Sequence, residues 1–165
     1  MGSVLVACEW GPPREDVPGS YLGRYVVDAT LDRTTCGGGN YQAPEDWSFE
    51  VRLSREDAHF YWTTSSDIIA GQADEDGSFQ LESTLEVELT PARAPWPGCV
   101  VDRRDTIAGT LDGQGTDVTA FAGTLTFEYS TSSEYDCTQE TIDGTAPPLP
   151  CHMDYSMTAE RAAAE

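Results

Sequence analysis

The chain has 165 residues and a formal net charge of -20, with 29 acidic side chains against 9 basic ones, all of them arginine. That balance repels phosphate backbones and anionic head groups, so nucleic acid is excluded as a partner and no basic patch is left to hold a membrane surface. A 39% hydrophobic share, with Trp, Tyr and Phe well represented, suits one folded domain with a sizeable core and argues against disorder.

The chain starts with a short apolar run that ends in a cysteine, Leu5-Val6-Ala7-Cys8. This stretch resembles the lipobox of bacterial lipoproteins. In that family the cysteine sulfur receives a diacylglyceryl group, the leader is cut just before it, and the new amino terminus is acylated. The resemblance implies lipidation at Cys8, a lipid anchor to the membrane, and a place in the cell envelope. Several acyl chains hold firmly, because each buried methylene contributes about 0.8 kcal/mol. Glu9 stands where some bacteria use Asp to retain lipoproteins at the inner membrane, which leans the destination toward the outer membrane. The departure from the pattern is upstream: only seven residues precede Cys8, with no positive start and too short an apolar stretch for a signal peptide. A tag remnant or a misplaced start at Met1-Gly2-Ser3 would account for it. The following "EWGPPREDVPGS" is rich in Pro, Gly and charge and reads as an extended tether, so residues 1–20 form a lipobox remnant and tether ahead of a domain spanning 21–165.

From Tyr21 onward apolar residues recur with a period of two. Tyr25, Val27, Ala29 and Leu31 share one face, as do Trp47, Phe49, Val51 and Leu53. The pattern repeats through Phe79, Leu81, Leu85, Val87 and Leu89, then Phe121, Leu125, Phe127 and Tyr129, then Met153, Tyr155 and Met157. Strands with one dry and one wet face belong to antiparallel sheets, so the fold is all-β. Polar turns at 54–57, 74–77 and 112–115 divide the chain into strands near 21–32, 47–54, 58–64, 67–73, 78–90, 99–111, 117–130 and 151–160. An antiparallel up-and-down meander of this kind closes most simply into an eight-stranded barrel, with a β-sandwich as the alternative. Alternating strand direction places the long connections around 33–46, 91–98 and 131–150 at one end, opposite the tether.

Five cysteines leave one over once two disulfides form, and Cys8 is the natural remainder. Cys36, Cys99, Cys137 and Cys151 lie in or beside the long connections. Three pairings are open. Cys137 and Cys151 bracket a single Pro-rich loop, so they are expected to pair, stabilising by roughly 3 kcal/mol. Cys36 and Cys99 then form the second bond, across the barrel mouth.

Few motifs carry chemistry. There is no G-x-S-x-G elbow, P-loop or H-E-x-x-H, and no C-x-x-C spacing. Asp74-Glu75-Asp76-Gly77 and the turn from Asp112 to Asp117 look like partial calcium loops but lack a full ligand set, so acidic hairpin turns are expected, with no metal and no cofactor. Arg103 and Asp105 interrupt the apolar face of "CVVDRRDTIAGTL". They either point inward, where a guanidinium–carboxylate pair orients a ligand's polar group, or are returned to solvent by a β-bulge near Asp102–Arg103. The cost of burying charge favours the bulge or a structural ion pair. Phe60 and Trp62 in "HFYWTT" read as core, whereas Trp96 in the Pro-rich loop "APWPG" suits either partner contact or covering the barrel mouth.

Gly23-Arg24-Tyr25, opening the first strand of a meander, is similar to the G-x-W start of lipocalins, with tyrosine in place of tryptophan. That resemblance implies an apolar ligand inside the barrel. Large inward residues such as Trp47, Phe49, Phe79, Phe121 and Phe127 argue for a filled interior that binds only through its loops. The sequence is therefore read as a cell-envelope lipoprotein whose disulfide-stapled barrel is a non-catalytic binding or structural module, facing an unknown protein or a small apolar ligand. The alternatives are a lipocalin-like carrier and a divergent envelope enzyme.

Overall fold

A computed structural model describes residues 17–37 and 43–163. Eight antiparallel strands follow one another around a closed barrel: β1 Ser20–Thr34, β2 Asp46–Glu56, β3 His59–Thr63, β4 Ile68–Ala73, β5 Ser78–Thr90, β6 Cys99–Asp112, β7 Ala120–Thr131 and β8 Cys151–Arg161. The only α-helix among the described residues is one turn, α1, Thr138–Ile142. Closure comes from β1 pairing with β8, Tyr25 opposite Arg161 and Thr34 opposite Met153. That pairing decides against a sandwich. β7 starts later than its apolar pattern suggests, because Gly115–Asp117 form a 3-10 turn and Val118 turns in to plug the base.

The base is filled. Phe121 meets Tyr25, Trp62 and Phe79 at ring-centroid distances of 5.7, 5.5 and 5.8 Å, and Phe79 meets Phe60 at 5.0 Å. Tyr25 is fully buried, and its hydroxyl donates to the Val118 carbonyl at 2.9 Å, satisfying the one polar atom the ring brings in. Burial holds that phenol above its ordinary pKa. Two strands come close together here at a glycine. A Cβ on Gly109 would lie 2.5 Å from the Ala122 carbonyl oxygen and 2.8 Å from Phe79 Cζ, so the missing side chain makes the room that Phe79 occupies.

All four cysteines of the barrel are paired, but not as expected. The bonds are Cys36–Cys151 and Cys99–Cys137, with Cα separations of 4.9 and 4.7 Å. Proximity along the chain misleads because the sheet closes on itself. The β1–β8 ladder continues past Thr34, with the Thr35 amide donating to the His152 carbonyl at 2.9 Å, which delivers Cys36 to Cys151. On leaving β7 the chain stays beside the start of β6, Ser132 and Asp136 donating to the carbonyls of Val100 and Gly98, and Cys137 arrives at Cys99. Each disulfide thus staples neighbouring strands, and none crosses the mouth.

Peptide mapping without reduction is expected to recover these two linkages and no other. The bonds span 115 and 38 residues, so chain entropy assigns them roughly 5 and 4 kcal/mol, and the Cys36→Ala/Cys151→Ala double variant should lose more stability to urea than Cys99→Ala/Cys137→Ala. Gly109→Ala should cost about 1–3 kcal/mol in the same measurement, through overpacking against Phe79.

Candidate functional site

β6 keeps its alternation through its charged stretch. Val101, Arg103, Asp105 and Ile107 fall on one face, and the ladder is unbroken there: Arg103 stands between Leu85 and Tyr129, Asp105 between Ser83 and Phe127. Of the two arrangements favoured from the sequence, the bulge near Asp102–Arg103 is absent, the register shift in this pair of strands lying at Glu88/Thr90, and an ion pair is present. Both charges therefore face the interior as an ion pair. Arg103 Nε donates to Asp105 Oδ1 at 2.6 Å, and Nη2 makes a second, shorter bond to Oδ2. The guanidinium carbon sits 4.8 Å from the Phe127 ring centroid. Two charge-assisted bonds, the ring face and residual solvent access offset the desolvation that made burial look costly, since the side chains keep 34% and 13% exposure. Hydrogen bonding to Asp105 holds the Arg103 pKa above its ordinary value, against the opposing effect of burial.

The interior is not filled at this level. A cavity of about 620 Å³ lies above the aromatic base, walled by Trp47, Phe49, Ile69, Leu125 and Phe127, with Trp62 as its floor and the ion pair on the β6 side. The expectation of a barrel packed throughout by large residues therefore holds for the base alone. Trp47 stacks on Phe49 at 4.3 Å and remains 38% exposed, so it is a rim residue and not the core residue its strand position suggests.

The cavity opens through the wall because two strands are short. β3 pairs with β2 only over Arg52–Glu56, and β4 pairs with β5 only over Phe79–Leu81. Above that level, among the described residues, β2 from Asp46 to Val51 and β5 from Glu82 to Thr90 each have a strand neighbour on one side only. The tip of the β3–β4 hairpin forms the sill. Its turn is held by the Thr64 amide donating to the Asp67 carbonyl at 2.9 Å and by the Thr64 hydroxyl accepting from the Asp67 amide at 3.1 Å. Thr63, next to this turn, lines the cavity with a hydroxyl that is buried and has no hydrogen-bond partner among the described residues.

The structure thus brings Arg103 and Asp105 together and places Trp96 elsewhere. Trp96 is 73% exposed in the turn between β5 and β6, where its amide and carbonyl exchange hydrogen bonds with Arg93. Cys8 lies outside the described residues. Sequence reasoning missed the side opening and the rim role of Trp47. The signal available for both was strand length, two short runs at 58–64 and 67–73 beside a long one at 78–90. The acidic turn at 74–77 is closed by its own neighbours, Asp76 accepting from the Ser78 amide and hydroxyl at 2.9 and 2.6 Å, which also lowers the Asp76 pKa. Among the described residues no group of three or more His, Cys, Asp or Glu side chains is placed to hold a metal ion.

Chemically, the cup offers apolar and aromatic inner walls with the Arg103 guanidinium held among them, and a charged mouth where Arg24, Glu50, Arg52 and Asp67 line the opening. Bidentate pairing occupies Nε and one Nη2 hydrogen of Arg103 and leaves Nη1 able to donate. Such a site fits a ligand with an apolar body and a hydrogen-bond-accepting head. Fold and site together define a disulfide-stapled meander barrel, packed at its base and cupped above. Comparison with known protein families, with curated proteins and with solved structures gives no significant match to this chain.

Removing one partner of the ion pair strands the other. Asp105→Ala should cost about 2 kcal/mol in urea unfolding, whereas the double replacement Arg103→Met/Asp105→Leu should stay within about 1 kcal/mol of the parent.

Proposed function

We propose that this protein is a cell-envelope lipoprotein, anchored through Cys8 at the outer membrane, whose barrel binds a small ligand with an apolar body and a polar head. The observation that carries the binding reading is the cavity of about 620 Å³ with its aromatic walls and the Arg103–Asp105 ion pair set among them. Of the alternatives open from the sequence, the hollow upper half favours the lipocalin-like carrier over a purely structural module. An apolar segment settles against Trp47, Phe49, Ile69 and Leu125, and Arg103 Nη1 donates to the head group. Asp105 fixes the guanidinium in place, so the donor needs no reorganisation when a ligand arrives.

The anchoring reading is supported by different features. Two disulfides suit an oxidising compartment. Cys8 is the cysteine left over when the other four pair. β1 begins at the packed base, so a tether entering there directs the cup away from the lipid. The charge of -20 supports a partner other than nucleic acid.

Each reading has its own measurement. Expressed behind a complete signal sequence in a Gram-negative host, the protein should fractionate with membranes and Cys8→Ser should release it; a freely soluble parent protein overturns the anchor. Purified protein titrated with the neutral fluorophore N-phenyl-1-naphthylamine should bind it saturably and release it to dodecanol. Ile69→Trp, which fills the cup, should weaken binding by at least about tenfold, equivalent to 1.4 kcal/mol. Absence of saturable binding, or indifference to Ile69→Trp, overturns the cup.

A further inference from the structure

The side opening leaves a strand edge of unusual character. β5 is paired with β6 in unbroken register from Ser78 to Glu88, while its other edge loses β4 beyond Leu81. From Glu82 on, that edge presents a row of backbone donors and acceptors with no strand hydrogen-bonded to it among the described residues. Proteins commonly blunt such edges with proline, lysine, a bulge or a charge pointing inward. None of these interrupts Glu82–Glu88; the bulge comes only at Glu88/Thr90. The inward positions are Leu85 and Val87, 53% and 36% exposed because no wall faces them.

The outward side chains carry charge of one sign. Glu82 is balanced by Arg104 at 3.3 Å, but Glu86 and Glu88 have no ion pair among the described residues. Glu86 stands directly across the ladder from Asp102, and like charges in that position repel. Asp102 Oδ1 is also buried without a hydrogen-bond partner. An uncompensated acidic row beside an exposed apolar row, on an unpaired edge, specifies its complement.

We propose that β5 from Glu82 to Thr90 is the docking edge for an extended segment of another polypeptide with alternating apolar and basic side chains. The segment runs antiparallel to β5, along the line β4 follows below Gly71, and contributes backbone hydrogen bonds to the edge. Its apolar side chains cover Leu85 and Val87. Its basic side chains turn outward to Glu86, Glu88 and Asp102. A second copy of this chain is a poor occupant, because pairing β5 with β5 sets glutamates against glutamates. The inference does not rest on occupancy of the cup, since it uses the backbone edge of β5, the outer carboxylates, and Leu85 and Val87, which lie outside the cavity's lining.

The test uses the full chain with disulfides intact and an acetylated, amidated peptide of alternating arginine and valine, nine residues long. Two control peptides replace the central valine by proline or every arginine by glutamate. Amide hydrogen exchange followed by mass spectrometry should find 83–89 exchanging on the edge side in the free chain and slowed at least about tenfold by the alternating peptide. Neither control should protect this segment. Glu86→Gln/Glu88→Gln should weaken peptide binding roughly fivefold, and added salt should do the same to the parent. Leu85→Gln, an uncharged replacement at an exposed position opposite Arg103, should weaken protection at least about fivefold while N-phenyl-1-naphthylamine binding in the cup persists. Edge amides already slow without peptide, equal binding of the proline control, or protection confined to other strands would each overturn the proposal.

Discussion

The pairing of β1 with β8 is the constraint on which the rest of the molecule depends. A meander of half-apolar strands leaves two unpaired edges and an unprotected face unless its first and last members meet. Here they meet over most of their length, from Tyr25 opposite Arg161 to Thr34 opposite Met153. That closure sets the interior against itself, so Tyr25 from the first strand and Phe121 from the seventh pack at 5.7 Å although far apart in sequence. It also decides which sulfurs meet. Cys36 and Cys151 belong to elements that look remote until the cylinder is closed, and then they are adjacent.

The alternation of apolar residues made the strands and their order legible, because a period of two survives any tertiary arrangement that keeps one face dry. Six of the inward residues read from β1 and β8, among them Tyr25, Val27, Met153 and Tyr155, are buried as the pattern requires. The same reasoning placed Trp47, Leu85 and Val87 inside, and there it stopped short. Facing the interior and being covered are separate conditions, and the second depends on what the opposite wall does. β3 and β4 end before they reach the level of Trp47, so these side chains point in but remain partly exposed. Arg103 posed the converse problem. Its charge argued for either a bulge that would carry it outward or a structural ion pair, and it is Asp105, two residues on and on the same face, that neutralises it in place. The i, i+2 spacing was visible in the sequence; the open, half-wet surroundings that make the pair tolerable were not.

The disulfides stand where the hydrophobic core is thinnest. The base carries the aromatic cluster around Phe121, whereas the upper half encloses a cavity and lacks two lengths of wall. Both disulfides lie at that upper end. Cys36–Cys151 fastens the closing seam at its far limit. Cys99–Cys137 forms, with Val101, a small second core under the loop that follows β7. Side chains that line a cavity make fewer dispersion contacts with one another than a packed interior supplies. Covalent links between neighbouring strands compensate without occupying the centre, by limiting how far the unfolded chain can spread.

Placing rigidity at the base and openness above also separates two demands that conflict in a small barrel. Residues chosen to fill space, such as Phe60, Phe79 and Phe121, stabilise the fold by excluding any ligand from their layer. Residues at the next layer, Phe49, Trp62 and Leu125, use the same chemistry to line a cavity, where the short β3–β4 hairpin leaves the wall incomplete. The consequence is directional. Replacements in the lower layer act on stability, while replacements around the opening also change what the cup and its free edge accept, because side chains there, Arg103 and Asp105 among them, both hold the upper wall and face the cavity.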